Sequence, residues 1–351
     1  MNLFSLLHQL AETHTLSLSQ WETLISGQTP ELAEEAARLA RLAREPYYGK
    51  RVFIRGLIEI SNFCKNDCYY CGIRRSNRNA MRYRLTPEQI LSCCETGWAL
   101  GFRTFVLQGG EDPWFTDERV CQLVRQIKTR WPEAAVTLSI GEREEASYQA
   151  FRQAGADRYL LRHETADDCH YHRLHPSELS LAHRMDCLRT LKRLGFQTGA
   201  GFMVGSPGQT AHTLAEDMVF LQELEPEMVG IGPFLPHHDT PFAKEPAGDG
   251  AQTLYLLSLV RLMLPTVLLP ATTALGTLLP NGREQGMEAG ANVVMPNLSP
   301  GDVRDKYLLY DNKLHSGDEA AESVRHLRET MAEIGYQVVA DRGDHWKMTE
   351  K

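Results

Sequence analysis

The sequence predicts an α/β protein, a single (β/α)8 TIM-type barrel carrying a helical segment at its N-terminus. Three observations predict it. Short apolar runs alternate with amphipathic helical stretches, about eight such units follow one another, and polar or glycine-rich residues gather directly after the runs. Residues 1 to about 45 read as short helices, with strong helix formers at three- and four-residue apolar spacing over 32–42. Pro46, Tyr47, Tyr48 and Gly49 are expected to interrupt them. The strand candidates are 53–60, 104–107, 136–139, 158–161, 198–204, 228–231, 267–269 and 292–295. Between them run helical stripes such as Val120/Leu123/Val124/Ile127, Met185/Leu188/Leu191 and Leu214/Met218/Leu221. The alternation implies a parallel sheet; an open doubly wound sheet is the alternative to a closed ring. The expected division is 1–48 helical, 49–316 barrel, and 317–351 a last helix (318–335) with a frayed tail of about a dozen residues.

Composition narrows the function. A formal charge of −8 and a pI near 5.9 argue against a duplex nucleic-acid partner, which would favour a basic face. The most apolar stretch, 260–280, contains Arg261 and is broken by Pro265, Pro270 and Pro280, so it belongs in the barrel core and not in a membrane. The first residues, Met1-Asn2-Leu3-Phe4-Ser5, lack a basic n-region and a cleavage site, so no signal peptide is expected. With eight cysteines, the expectation is a reducing cytoplasmic compartment and metal binding in preference to disulfides. Arg74, Arg75, Arg78, Arg82 and Arg84 crowd one segment, either as a solvated loop or as a docking patch for an acidic electron donor.

The polar residues that follow the strands are Ser61-Asn62, Gln108-Gly109-Gly110-Glu111, Ser139 and Glu142, Arg162 and Glu164, 205–209, Thr272-Thr273 and Asn297. In a parallel barrel these positions share the C-terminal face, where active sites are built.

Cys64-Lys65-Asn66-Asp67-Cys68-Tyr69-Tyr70-Cys71 follows the first strand with C-x3-C-x2-C spacing. Thiolates are the usual ligands of iron–sulfur cubes, and three of them leave one iron open to an exogenous ligand. Zinc would need a distant fourth ligand, and three buried thiols so close together among polar residues make a poor core pattern. With an aromatic residue before the third cysteine, this is the signature of the radical S-adenosylmethionine (SAM) superfamily. That resemblance implies one [4Fe–4S] cluster whose open iron is chelated by the amino and carboxylate groups of SAM. One electron then cleaves the sulfonium to methionine and a 5′-deoxyadenosyl radical. Cys93, Cys94, Cys121, Cys169 and Cys187 show no second cluster spacing. No cysteine follows Cys187, so no C-terminal auxiliary cluster is expected.

Six further segments, 106–113, 158–165, 199–205, 228–234, 270–274 and 291–297, resemble the [FeFe]-hydrogenase maturase HydE family. The resemblance runs from about residue 45 to 310. It implies that Tyr70 lies by the adenine and that Gly109, Gly110 and Glu111 hold the SAM amino group. It implies Glu164 and Arg184 as charged partners of the methionine moiety and ribose, and 228–233, with Met228 and Ile231, as the adenine edge. Thr137, Ser139, Arg162, Thr272, Thr273, Met295 and Tyr307 resemble the family's substrate pocket. Arg162 would fork onto a substrate carboxylate, or would close an internal ion pair with Glu59 or Glu164. The histidines 163, 170, 172, 175, 237 and 238 show no metal spacing. In this family the substrate is an organometallic small molecule, a cysteine-bound iron dicarbonyl cyanide unit supplied by a sister radical SAM maturase. A GTP-hydrolysing scaffold maturase lies downstream, and the electron comes from a low-potential flavodoxin or ferredoxin.

Two relatives share the barrel and the cysteine run. Biotin synthase needs extra strand-end cysteines, where this chain reads Phe105-Val106-Leu107, Thr137-Leu138-Ser139 and Gly199-Ala200-Gly201. Methylornithine synthase, a radical mutase, is the stronger alternative. A non-enzymatic iron–sulfur or zinc protein would leave the polar residues of one barrel face without a purpose.

Overall fold

The structure, a computed structural model, describes residues 2–314 and 320–349. Three helices lead: α1 (Leu3–Thr13), α2 (Leu18–Ser26) and α3 (Pro30–Tyr48). Each begins on a side-chain cap, from Asn2, Ser17 and Thr29. α3 does not stop before Pro46 as expected. Pro46 sits in its last turn, and the helix ends at Gly49, whose φ of +54° suits only glycine readily. Leu6, Leu7, Leu10, Trp21, Leu24 and Leu32 pack these helices into the same apolar core as the barrel.

The barrel then runs β1 (Arg51–Ile54), β2 (Gly56–Ser61), α4 (Pro87–Ala99), β3 (Thr104–Gly109), α5 (Asp117–Arg130), β4 (Ala135–Ser139), α6 (Glu145–Ala154) and β5 (Arg158–Leu160). It continues through α7 (Asp168–Leu174), α8 (Leu181–Arg193), β6 (Gln197–Ala200), β7 (Met203–Val204), α9 (Ala211–Leu224), β8 (Met228–Val229) and β9 (Gly232–Pro233). It ends with α10 (Gly250–Met263), α11 (Thr273–Leu278), α12 (Gly282–Glu288), β10 (Val293–Val294), α13 (Gly301–Arg304), α14 (Ala320–Glu333) and β11 (Gln337–Val339). The first residues of the expected 318–335 helix, and the boundary at 316, lie outside the described residues.

All strand pairs are parallel. The order β2-β3-β4-β5-β6-β8 is continued by single bridges, Met228 to Leu268, Pro270 to Val293 and Leu57 to Asn297, which close the ring. The sheet is therefore not open. The expected strand 267–269 contributes only the Leu268 bridge, and the expected strand 53–60 breaks at Arg55 into β1 and β2. The expected strands 198–204 and 228–231 also break, at adjacent glycines. A Cβ on Gly201 would lie 2.0 Å from the Gly230 carbonyl, so only bare backbones pass there. Above the crossing, β7 and β9 form a separate small pair.

The tail is not frayed. β11 pairs with β1, and the residues after it seal the N-terminal mouth of the barrel. Arg158, fully buried, donates to Thr104 Oγ1 (2.9 Å), the Arg342 carbonyl (2.8 Å) and Asp344 Oδ1 (2.7 Å). Asp344 also accepts from Gln197 and Arg342, and Trp346 packs edge-on against Tyr47. The ties from Arg158 and Gln197 to the tail were invisible in the sequence because their partners lie 147 to 186 residues apart.

Candidate active site

The cysteine loop leaves β2 through a β-bulge between Glu59 and Ser61, which re-aims the chain at the C-terminal rim. Asp112 anchors it from the loop after β3. Its carboxylate accepts from Ser61 Oγ (2.7 Å) and from both ends of the Arg84 fork (2.6 and 3.0 Å). Arg82 donates to the carbonyls of Asn62, Ile73, Arg74 and Asn77, turning the loop's outward carbonyls into a single knot. Arg74 pairs with Asp67 at 2.8 Å and holds that carboxyl well below its usual range. Arg74 and Arg82 are thus partners of the loop's own groups, and Arg84 clasps Asp112 while remaining exposed, as Arg75 and Arg78 are.

Cys64, Cys68 and Cys71 are half-buried on this loop. Burial pushes all three thiols up, Cys71 to about 12; neighbouring thiols add to the rise at Cys68 and Cys71, and Glu111 adds to it at Cys64. A metal must therefore displace tightly held protons to bind, the ordinary coupling of thiolate ligation. The Gly109–Glu111 turn presses on the loop: a Cβ on Gly110 would meet the Phe63 carbonyl at 2.3 Å and Cys64 Cβ at 2.7 Å. Gly72 likewise has room for nothing larger, because His237 and the Leu308 carbonyl close over it. His237, His238 and Asp239 bring ligand atoms together, but His237 Nδ1 accepts from the Asp239 amide and His238 bonds Asp311. That cluster is a clasp between two rim loops.

Beside Cys71 lies a cavity of about 280 Å³ inside the rim. Tyr70, Gly109, Ser139, Arg162, Glu164, Arg184, Thr272 and Tyr307 all line it, eight residues drawn from seven separate chain segments. Thr137 is buried in β4 and does not line it, while Thr273 and Met295 face another cavity of about 430 Å³. Glu111 is buried behind the rim, where Lys65 Nζ lies 3.2 Å away. Ile231 is buried in the main core. Met228 packs lower in the barrel with Phe53, Leu268 and Val293, and its sulfur takes a hydrogen bond from the buried Arg55. The segment expected to edge an adenine reaches the cavity through Gly232 and Pro233 instead. Gln108 of the expected polar rim lines it too, as do Gly141, Met203, Phe234 and Tyr310, which as single residues carry no signal until the ring closes.

The cavity's charges are poorly satisfied. Arg162 lies 3.2 Å from Glu164, as one reading of the sequence anticipated, yet Arg162 Nε and Nη2 and Glu164 Oε2 have no aligned hydrogen bond. Arg184 Nε and Glu142 Oε1 are in the same condition at 2.6 Å. Burial opposes the Arg184 charge, but Glu142, Tyr171 and Glu111 outweigh it and hold the group well above its usual pKa. Glu164 itself adopts φ +69°, a left-handed conformation that costs a side-chain-bearing residue about 1 kcal/mol or more. Below it His163 is driven down to about 3 by burial, with Arg162 and Arg184 adding. Its neutral ring accepts from the Gly201 amide and faces Asp217 at 3.2 Å, pinning the strained segment.

Ion-paired but incompletely hydrogen-bonded cations and carboxylates, next to three thiols on one stiff loop, fit a charged ligand bound against a cluster. SAM carries an amino group, a carboxylate, ribose hydroxyls and a sulfonium, and these opposed charges match the donor set.

The comparisons with known proteins agree. A family model described as the radical SAM superfamily matches residues 58–221. The chain is 48% identical over 281 residues, 80% of each chain, to the [FeFe] hydrogenase maturase subunit HydE of Thermotoga maritima. It is 30% identical to 3-methylornithine synthase of Methanosarcina barkeri, over 93% of this chain and 92% of that one. Among solved structures it is similar to methylornithine synthase (PylB), with a TM-score of 0.82 and 28% identity over 95% and 97% of the two chains. The maturase HydG, at 18% identity and a TM-score of 0.81 over 95% of this chain and 75% of that one, shares the fold.

Proposed function

The chain belongs to the radical SAM superfamily and, within it, to the HydE family of [FeFe]-hydrogenase maturases, and on that premise we propose the following reaction and site. Cys64, Cys68 and Cys71 hold a [4Fe–4S] cluster, and the cavity beside Cys71 takes SAM. When bound, the cluster supplies one electron to the sulfonium, releasing methionine and a 5′-deoxyadenosyl radical. The chain's own residues bind, orient and enclose. Arg184 attracts the methionine carboxylate, Glu164 accepts from the ribose hydroxyls, and the Gly109–Gly110 backbone approaches the amino group. Tyr70, its hydroxyl kept protonated by burial, packs against the adenine. Ser139, Arg162, Thr272 and Tyr307 line the rest of the cavity and receive the substrate. That substrate is a cysteine-bound iron dicarbonyl cyanide unit on its way to the diiron subcluster. A sister maturase supplies it, a GTP-hydrolysing scaffold maturase takes the product, and a low-potential flavodoxin or ferredoxin supplies the electron.

One observation supports the chemistry most: Cys71 shares a single cavity with Arg162, Glu164 and Arg184, whose charged atoms find no full complement of partners within the protein. The choice of maturase over mutase rests on the 48% identity to the maturase against 30% to methylornithine synthase. Anaerobic iron–sulfur reconstitution should give about four irons per chain and 5′-deoxyadenosine from SAM. Cys71→Ala should abolish both; a variant that still cleaves SAM would end this reading. In vitro hydrogenase activation lacking only this protein should fail and recover on adding it. Methylornithine formed from lysine would instead move the chain to the mutase.

A further inference from the structure

Glu142 lies outside the cavity wall yet touches the cation inside it. Its Oε1 is 2.6 Å from Arg184 Nε, and Arg184, only 7% exposed, lines the cavity. Glu142 is itself fixed by its surroundings. Its amide donates to Glu111 Oε1 at 3.0 Å. Gly141, at φ +79°, leaves no space beside Glu111, since a Cβ there would lie 1.9 Å from Glu111 Cγ. Glu111 is tied to the cysteine loop twice, through Lys65 Nζ at 3.2 Å and through the Lys65 amide at 2.9 Å. His183, the helix neighbour of Arg184, stands 3.6 Å from the other Glu142 oxygen. A continuous line of contacts thus runs from the cysteine loop through Glu111 and Glu142 to Arg184.

We propose that Glu142 is a positioning residue for SAM: it holds Arg184 by the Nε edge so that the rest of the guanidinium faces the methionine carboxylate. The inference rests on the reading of the cavity as a SAM site and adds a residue to it. Guanidinium is a planar fork, so a carboxylate on one edge fixes the direction of the other donors. A buried cation with no such anion would be uncompensated and free to turn toward other acceptors. Burial keeps Glu142 above the ordinary carboxylate pKa, partly offset by Arg184, so its charge depends on that cation in return.

The test compares SAM with 5′-methylthioadenosine, which keeps the adenosine and lacks the amino-acid end. Dissociation constants for both are measured by calorimetry on reconstituted wild type, the isosteric Glu142→Gln, and Glu142→Asp. In Glu142→Gln the SAM dissociation constant should rise about tenfold or more, the scale for disturbing a buried charge pair. The 5′-methylthioadenosine constant should stay within about twofold, and the turnover number at saturating SAM within about threefold. Glu142→Asp, which restores the charge, should recover part of the SAM affinity. Equal loss for both ligands would mean a merely structural role and overturn the proposal, as would unchanged SAM affinity. Wild type that binds no SAM at all would instead remove the SAM reading itself.

Discussion

The two ends of the barrel use the same chemical groups to opposite effect. At the N-terminal mouth Arg158 and Asp344 meet at 2.7 Å, and Gln197, Thr104 and Arg342 complete the set. At the C-terminal rim Arg162, Glu164, Arg184 and Glu142 meet at comparable distances, but each contributes an atom lacking an aligned partner, and Glu164 is strained as well. Buried charge is costly wherever it lies. The Arg158 set offsets that cost within the fold, whereas the two rim pairs offset it only in part and leave the rest for a ligand. Other buried groups also lack partners, including Arg55 Nε and Nη2, but among the described residues only at the rim do such atoms line a cavity beside a cysteine loop.

Breaking the lower network should cost the most stability and no binding. Asp344→Ala strands Arg158 without its anion and should lose about 3 kcal/mol in urea unfolding. SAM affinity of the folded fraction should hold; a fall in parallel would mean the two ends are coupled. At the upper end the signs reverse. Glu164→Gly relieves the left-handed backbone and should leave stability unchanged or raise it by up to about 1 kcal/mol. The same change should weaken SAM binding by about tenfold, the scale of a lost charged hydrogen bond. A stabilised variant with full affinity would erase the contrast.

The smallest effect is in pH. Burial holds folded His345 at about 4, below its ordinary 6.5. The unfolded chain therefore takes up this proton first as pH falls. Stability that His345 contributes is complete above about 6.5 and is lost progressively toward 4. His345→Gln cannot titrate, so the drop in urea midpoint between pH 7 and pH 5 should be shallower in the variant. An identical drop would show that the tail is open in solution.

Legibility followed the distance over which each feature is encoded. The cysteine run, the Gly109–Gly110 turn, and the alternation of strands with helices lie within a few residues, and the structure carries all three. The strand breaks at Arg55, Gly201 and Gly230 were hidden, because an apolar run reads alike whether its neighbour pairs throughout or crosses halfway. The arginine cluster misled in the same manner. Charge density is visible along a chain, but which side chains turn inward to carbonyls, as Arg82 does, depends on where the loop folds back.

Read alone, the chain already specifies three thiols at cluster spacing, a parallel barrel, and a rim of polar strand ends. Those follow from residue type and period, which are local. Only the folded molecule decides that Arg162 meets Glu164 while Glu59 pairs with Lys313, that Glu142 stands behind Arg184, and that the tail closes the lower mouth. Ion pairs between segments 42 to 254 residues apart obey no sequence period, and partner choice among buried charges is settled by packing.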